Sequence, residues 1–306
     1  MGKWLVKDLE ETYSDKDIAI IFYFLYHKTV VHPQIIHIYR APKSRITCFP
    51  ATFDEISGMA VSAEWFKEWF NTDYYHQLYF NRNEAEASAF IDKLLSRLQL
   101  PAGALLTDIA CGRGRHSKML AGHGFDVTGI DLSPENISFA HRYETEKLHF
   151  YQHDMRLPFW INYFDGAFNF FTSFGYFRTE REHYNAIRTI AQSLKPGGIL
   201  VLDYLNVHYA EDHFISHAER QIDAVHYDLT KWQDETHFYK KILITDPAQP
   251  APLSFTEKVA KFSLGDFNDM FAFHHLQVQE VFGDYTLGSY DVKKSPRMVL
   301  LAKKTR

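Results

Sequence analysis

Leu105 to Lys118 reads LLTDIACGRGRHSK, and the fold is decided there. Leu105, Leu106 and Ile109 make a short apolar strand with Asp108 near its end. Cys111-Gly112-Arg113-Gly114 is a turn, and Arg115 to Ala121 can run as a helix. A strand that feeds a helix through glycines leaves unpaired backbone N–H groups at the helix start. Glycine is wanted there because a side chain would block close approach of the backbone to a ligand. Asp108 beside the turn adds an acceptor for a cationic ligand group.

Downstream, strand and helix alternate. Phe125 to Asp131 is a second strand with an acid at its end. Ser133 is an N-cap and Pro134 takes the first helical position. Leu148 to Tyr151 is a third strand that leads to His153-Asp154-Met155, and Phe164 to Phe171 is a fourth. Thr179-Glu180-Arg181-Glu182 has capping-box form and opens a helix with Ile187, Ile190, Ala191 and Leu194. Lys195 to Gly198 turns into the strand Ile199 to Leu205. This order predicts an α/β fold: a parallel sheet with helices on both faces. The pattern then changes. Glu219 to Thr230, Phe238 to Thr245 and Phe255 to Phe262 read as antiparallel strands of a meander. Leu264 to Phe273 returns to helix. Leu276 to Phe282 and Arg297 to Lys303 read as a closing hairpin.

Upstream, Glu84 to Leu98 is a helix with Phe90, Leu94 and Leu98 on one stripe. Before it, Trp65 to Arg82 is dense in rings, and Tyr75 and Tyr79, four apart, share a helical face. Core packing and a lid over a bound ligand are both open for this segment. Residues 1–58 show no clean period, and Pro33, Pro42 and Pro50 break them up. Met59 is read as a native start, with 1–58 as an upstream extension or loosely attached arm; an ordinary N-terminal appendage stays open.

At 306 residues the chain can bury a large core. A formal charge of -5 gives no global basic field, so no nucleic-acid partner is expected. Two cysteines, Cys48 and Cys111, suggest no disulfide framework and fit a reducing cytoplasm. The apolar run Ile18 to Tyr26 is too short to cross a bilayer, and Asp17 precedes it. No membrane association is expected. The oligomeric state is not readable. No histidine–carboxylate set has metal-ligand spacing, so no metal is expected.

Ligands of such sheets bind beyond the carboxyl ends of the strands, where strand order reverses. Asp131 lies 19 residues after Gly112, the spacing of an acid that accepts ribose hydroxyls. An NAD(P) site shares that pattern. Two features favour another nucleoside. The third glycine of the dinucleotide fingerprint is missing after Gly114. Asp108 is awkward beside a pyrophosphate but suits an ammonium group.

Here the sequence resembles the class I S-adenosylmethionine-dependent methyltransferases, over roughly residues 64–303. Asp108-Ile109-Ala110-Cys111-Gly112-Arg113-Gly114 resembles the first family motif, and Gly129-Ile130-Asp131-Leu132-Ser133 the second. Asp154-Met155 falls at the adenine position, and Leu194-Lys195-Pro196-Gly197-Gly198 resembles the turn before the fifth strand. Phe171 to Phe177, with Tyr75 to Tyr79 and Arg82, is similar to a bacterial small-molecule branch that includes sugar N,N-dimethyltransferases. The resemblance implies a Rossmann-like seven-stranded, mostly parallel sheet with an antiparallel C-terminal hairpin. It also implies a β-rich insertion after the fifth strand. The domains would be an uncertain extension (1–58), a core (59–206 and 263–306) and the insertion (207–262) as a substrate lid.

The implied cofactor is S-adenosyl-L-methionine. Asp108, Ala110, Cys111 and the Gly112 and Gly114 backbone would hold its methionine part, helped by Arg115. Asp131 would take the ribose, with Leu132 against adenine. Asp154 would receive the adenine amino group and Met155 would pack on the ring. Tyr75, Tyr79 and Arg82 would close over the cofactor. The implied reaction is in-line methyl transfer to a small-molecule acceptor, for which alignment and exclusion of water matter most. No catalytic base is identifiable; His76, His153 and His208 are candidates, each better read as structural or solvated. Acceptor-facing candidates are Tyr176, Phe177, Tyr204 and Asn206. Phe171-Thr172-Ser173-Phe174 is not an Asn-Pro-Pro-Tyr segment, which weakens a reading as a methylase of DNA adenine or protein glutamine. The alternatives are a non-catalytic nucleoside-binding module and an NAD(P)-dependent oxidoreductase.

Overall fold

A computed structural model describes residues 64–79 and 84–306. The expectations placed on residues 1–58, Met59 and Arg82 lie outside the described residues. Helices α1 (Trp65–Trp69), α2 (Asp73–Leu78) and α3 (Glu84–Leu98) precede β1 (Leu105–Ile109). Then follow α4 (Arg115–Gly122), β2 (Asp126–Asp131), α5 (Pro134–Ala140), β3 (Leu148–Gln152) and β4 (Phe164–Asn169). Next come α6 (Glu180–Ser193), β5 (Leu194–Leu205) and α7 (Val207–Asp212). Four strands come after them: β6 (His217–Ile222), β7 (Val225–Gln233), β8 (His237–Thr245) and β9 (Leu253–Ala260). Helix α8 (Leu264–Phe273), β10 (Leu276–Phe282) and β11 (Arg297–Lys304) complete the chain.

The seven-stranded sheet has the order β10-β11-β5-β4-β1-β2-β3. Strands β1 to β5 are parallel, while β11 runs antiparallel to β5 and β10 antiparallel to β11. Strand order reverses between β1 and β4, so the ligand crevice belongs at their carboxyl ends. The period of two divides the sheet residues. Val201, Val299 and Leu301 pack with Phe90, Ile91 and Leu94 of α3 and Leu120 of α4. Leu200, Leu202 and Leu300 face the other way, onto Ile187 and Ile190 of α6 and Phe267 and Phe271 of α8. Burying each such chain fully is worth about 1.5–3 kcal/mol, which makes two-sided burial the main organising force.

The start signals work as read. The Ser133 hydroxyl accepts from Asn136 N at 3.0 Å, and Thr179 and Glu182 form a full capping box. Three readings change. Strand β4 ends at Asn169, because Phe171 and Thr172 turn into the left-handed region at φ 57° and 59°. Lys195 to Gly198 is a bulge inside β5: Leu194 pairs with Phe164 and Ile199 already with Gly166. The expected strand Glu219–Thr230 is a hairpin, β6 and β7, reversing at Asp223 with φ 51°, a conformation that Asp tolerates locally. These two strands, with β8 and β9, form a separate antiparallel sheet of order β6-β7-β8-β9. Its Tyr227 and Ile242 join the same buried cluster as Trp65, Phe66 and Trp69 of α1. No helix among the described residues is long and apolar enough to cross a membrane.

Candidate functional site

The carboxyl ends of β1, β2 and β4 open into a cleft of about 540 Å³. Asp131 sits at its floor. One carboxylate oxygen accepts from Gly112 N at 2.9 Å and the other from Ser133 N at 2.8 Å. The acid after β2 therefore fixes the glycine turn after β1 as well as facing the cleft. Burial raises its carboxyl above the ordinary range, against the pull of the two backbone bonds. Ala110, at φ 58°, and Gly112, at φ 56°, give the turn its left-handed path. A Cβ placed on Gly112 would meet nothing within 4 Å, so the backbone there is open to a ligand.

Leu132, Asp154, Met155, Tyr75, Tyr79, Tyr176 and Phe177 also line the cleft. Asp154 does so with its carboxylate engaged: Arg156 Nε and Nη2 donate to it at 3.0 and 2.7 Å, and Arg156 also binds Glu182 at 2.7 Å. Burial alone would raise Asp154, but the guanidinium holds it below the usual carboxylate range. Two candidate histidines, His76 and His153, reach the cleft wall, on Asn136 Oδ1 at 3.0 Å and Leu157 O at 3.2 Å; His208 is not among the lining residues.

A smaller void of about 370 Å³ adjoins the cleft, sharing Tyr75, Tyr79, Ala110, Gly112 and Phe171 with it. Asp108, Cys111 and Arg115 line this void. Asp108 is 2% exposed and accepts from Ser117 Oγ at 2.6 Å. Burial pushes its carboxyl up to about 7, with Ser117 opposing and the Asp131 charge adding. Burial also raises the Cys111 thiol, which makes a small turn residue of it and not a nucleophile.

Three expected site residues are placed elsewhere. Gly114 does not line either space. Its Cα faces the Phe150 ring, so its glycine identity serves packing and a φ of +79°. Tyr204 is fully buried and its hydroxyl donates to Ala260 O at 2.6 Å, tying β5 to the end of β9. Asn206 is 1% exposed and its amide donates to Ser295 O at 2.8 Å and Val292 O at 2.9 Å. Both stand at the carboxyl end of β5, but backbone carbonyls take the Tyr204 hydroxyl and the Asn206 amide N–H groups, and Asn206 Oδ1 accepts from Tyr290 Oη at 3.3 Å.

The sequence reading missed two ion pairs on the cleft wall. Lys240 of β8 and Glu257 of β9 are cross-strand partners, with Nζ to Oε2 at 2.6 Å. Arg297 begins β11 opposite Leu205, and its Nη2 lies 2.6 Å from Oδ1 of the fully buried Asp203. Asp203 also accepts from Phe171 N at 2.7 Å and Tyr285 Oη at 3.0 Å. Arg297 donates in addition to Thr172 Oγ1 at 2.9 Å. Tyr176 Oη donates to Thr172 O, so the left-handed Phe171–Thr172 turn is pinned on several sides. A β-branched residue in that region costs about 1–3 kcal/mol and persists only where neighbours over-determine it. The detectable signal was the register: pairing the last strand antiparallel to the fifth sets Arg297 at the carboxyl edge of the sheet. Away from the cleft lining, His217, Glu219 and Asp228 bring ligand atoms within 4.8 Å of one another at a largely exposed place on β6 and β7.

Residues 107–202 match the family model described as "Methyltransferase domain". The dTDP-3-amino-3,4,6-trideoxy-alpha-D-glucopyranose N,N-dimethyltransferase of Streptomyces venezuelae is 33% identical over 137 residues, covering 44% of this chain and 56% of that protein. Rat (Rattus norvegicus) glycine N-methyltransferase is 27% identical over 150 residues, covering 44% of this chain and 51% of that protein. The chain thus spans about half the length of these curated relatives. A solved S-adenosylmethionine-dependent methyltransferase from Clostridium acetobutylicum superposes with a TM-score of 0.65 at 18% identity, over 76% of this chain and 96% of that one. The motif order, the sheet order and these matches converge: residues 107–202 are similar to the methyltransferase domain, and the chain has the fold of a solved S-adenosylmethionine-dependent methyltransferase.

Proposed function

We propose that this chain transfers a methyl group from S-adenosyl-L-methionine to a small-molecule acceptor. One observation carries the reading. The Asp131-braced glycine turn opens at the sheet's switch point onto a cleft, and the adjoining void holds Asp108 and Arg115. The donor set fits the cofactor: a carboxylate for ribose hydroxyls, Leu132 and Met155 for a flat base, and a carboxylate with a guanidinium for an amino acid end. Bound there, the cofactor would supply an activated methyl carbon, to which an acceptor lone pair would bond in line as the carbon–sulfur bond breaks and its electron pair goes to the sulfur of S-adenosylhomocysteine.

The chain's own part is orientation and exclusion of water. Asp131 holds the ribose while its second bond keeps Gly112 in place. Asp154, fixed by Arg156, presents an acceptor at the adenine edge. Tyr75 and Tyr79 cover the cofactor. Phe171, Thr172 and Tyr176 stand at the carboxyl end of β4, where the acceptor approaches the methyl group. The domain reading places the core at 59–206 and 263–306, with 207–262 as the acceptor lid and 1–58 as an extension. Two cysteines in the chain, with Cys111 free and buried, support a reducing cytoplasmic setting. The dimethyltransferase relative supports an amine-bearing, sugar-like acceptor.

Titration with S-adenosylhomocysteine, S-adenosylmethionine and NAD tests the reading. Saturable binding of the first two and none of NAD is expected, followed by turnover on a panel of amine, hydroxyl and carbon acceptors. NAD binding alone would turn the assignment to an oxidoreductase. Cofactor binding with no turnover across the panel would turn it to a nucleoside-binding module.

A further inference from the structure

Three side chains, from α1, the end of α2 and β8, converge on one carboxylate of the insertion sheet. Glu257 Oε1 accepts from Trp69 Nε1 at 2.8 Å and from Tyr79 Oη at 2.8 Å. Its Oε2 takes Lys240 Nζ at 2.6 Å, and Lys240 also donates to Tyr79 Oη. Trp69 is fully buried against Phe255, two residues along β9, with ring centroids 4.8 Å apart. Two further bonds tie the same segment to the insertion: Tyr74 Oη donates to Asp246 Oδ2 at 2.6 Å, and Tyr227 Oη to Gln77 Oε1 at 2.5 Å.

The same segment also packs on the core: the rings of Trp65 and Phe70 lie 5.2 and 5.4 Å from Tyr176, and that of Phe66 lies 6.2 Å from Phe177. Asp73 meets Arg113 at 2.7 Å, but its side chain is 93% exposed, and an exposed pair contributes little. His76 meets Asn136 at 3.0 Å. Residues 65–79 thus bridge the core and the insertion sheet, and two of their side chains meet β9 at the Glu257 carboxylate. Glu257 is the junction. It accepts the Trp69 indole N–H, and its charge strengthens each bond it accepts.

We propose that Glu257 is a positioning residue that sets the cover of the cofactor site from the insertion sheet. Through Trp69 and Tyr79 it holds Tyr75 and Tyr79 over the cleft. Because Glu257 and Lys240 both line that cleft, an acceptor entering it meets the same ion pair that holds the cover. Enclosure of the cofactor is therefore coupled to occupancy of the acceptor space. The inference rests on the proposed cofactor reading, and its test separates the two.

Glu257→Leu and Glu257→Gln are compared with the unaltered protein in two measurements: calorimetric titration with S-adenosylhomocysteine, and hydrogen exchange of residues 65–79 with and without it. Glu257→Leu is expected to weaken binding about tenfold, as loss of charge-assisted bonds at a closed site would. Glu257→Gln, which keeps one acceptor oxygen, should fall between. At saturating ligand the amides of 65–79 should stay protected in the unaltered protein and exchange faster in Glu257→Leu. Equal affinity and equal protection in a folded variant overturn the proposal. If Glu257→Leu does not fold, the same comparison is read on Glu257→Gln. If the unaltered protein binds no S-adenosylhomocysteine, the cofactor reading fails. The junction is then judged on exchange in the unliganded proteins, where unchanged rates overturn it.

Discussion

Phe150 packs under two glycines at once, and replacing each separates two kinds of cost. An alanine Cβ at Gly129 would lie 2.6 Å from Phe150 Cδ1 and 3.0 Å from Cys111 Sγ; at Gly114 it would lie 2.6 Å from Phe150 Cζ. Carbon atoms settle about 3.5–4.0 Å apart, so something must move. The ring is 1% exposed, buried among its neighbours. Overpacking of this kind costs about 1–3 kcal/mol. Gly114 also has φ +79°, which adds about 1–2 kcal/mol for any residue with a Cβ. Gly129 lies in a regular strand, where alanine recovers about 0.5–1 kcal/mol of chain entropy. Gly129→Ala should therefore cost about 0–2.5 kcal/mol and Gly114→Ala about 2–5 kcal/mol. Phe150→Leu tells them apart. In that background Gly129→Ala should become nearly neutral, while Gly114→Ala should keep about 1–2 kcal/mol. Urea midpoints at unchanged slope, measured around both mutant cycles, give the numbers. Equal residual costs for the two glycines in the Phe150→Leu background would refute the reasoning, as would absence of coupling between Gly129→Ala and Phe150→Leu.

Asp131→Ala should weaken S-adenosylhomocysteine binding by about 1–3 kcal/mol through lost ribose bonds and a loosened Gly112 turn; unchanged affinity by calorimetry in a folded variant would remove Asp131 from the site. Tyr204→Phe should cost about 1–2 kcal/mol of stability by orphaning Ala260 O, with cofactor affinity unchanged; a loss of affinity would return Tyr204 to the ligand site. Burial lifts Asp108 to about 7, so the folded chain keeps a proton that the unfolded chain releases near 3.8. Stability should fall as pH rises between these values, with Asp131, also raised, adding in the same sense. Asp108→Asn should flatten that stretch of the midpoint-versus-pH curve, and an unchanged curve would contradict the burial argument. The ammonium of the cofactor favours the ionised acid, so S-adenosylhomocysteine affinity should rise with pH through 7 in the unaltered protein and not in Asp108→Asn.

The core was legible because its signals are local. Asp108, the glycines and Asp131 lie in one strand–turn–helix–strand run, and the caps at Ser133 and Thr179 declare themselves within three residues. The acceptor side was not legible because its parts meet across long sequence separations. Lys240 and Glu257 look like alternate residues of two solvated strands until β8 pairs with β9 and α1 closes on them. Asp203 looks like one more apolar-strand anomaly until Arg297, 94 residues later, pairs with it. Tyr204 and Asn206 were read as acceptor-facing for the complementary reason. Position at the end of β5 is readable from sequence, but the direction of a side chain between two sheets depends on Ala260 and Ser295, which arrive much later.

The bond between Trp69 and Glu257 joins residues 188 positions apart. That separation has a temporal meaning. Chains grow from the N-terminus at about 5–20 residues per second, and distant contacts are slow to close. The ring-rich segment 65–79 leaves the ribosome early, while its anchor arrives only after β9. For that interval Trp69 and Tyr79 lack the Glu257 carboxylate that accepts from both. Nascent chains stalled before residue 253 should therefore expose this aromatic segment to chaperones and proteases, and those extended past residue 260 should hide it.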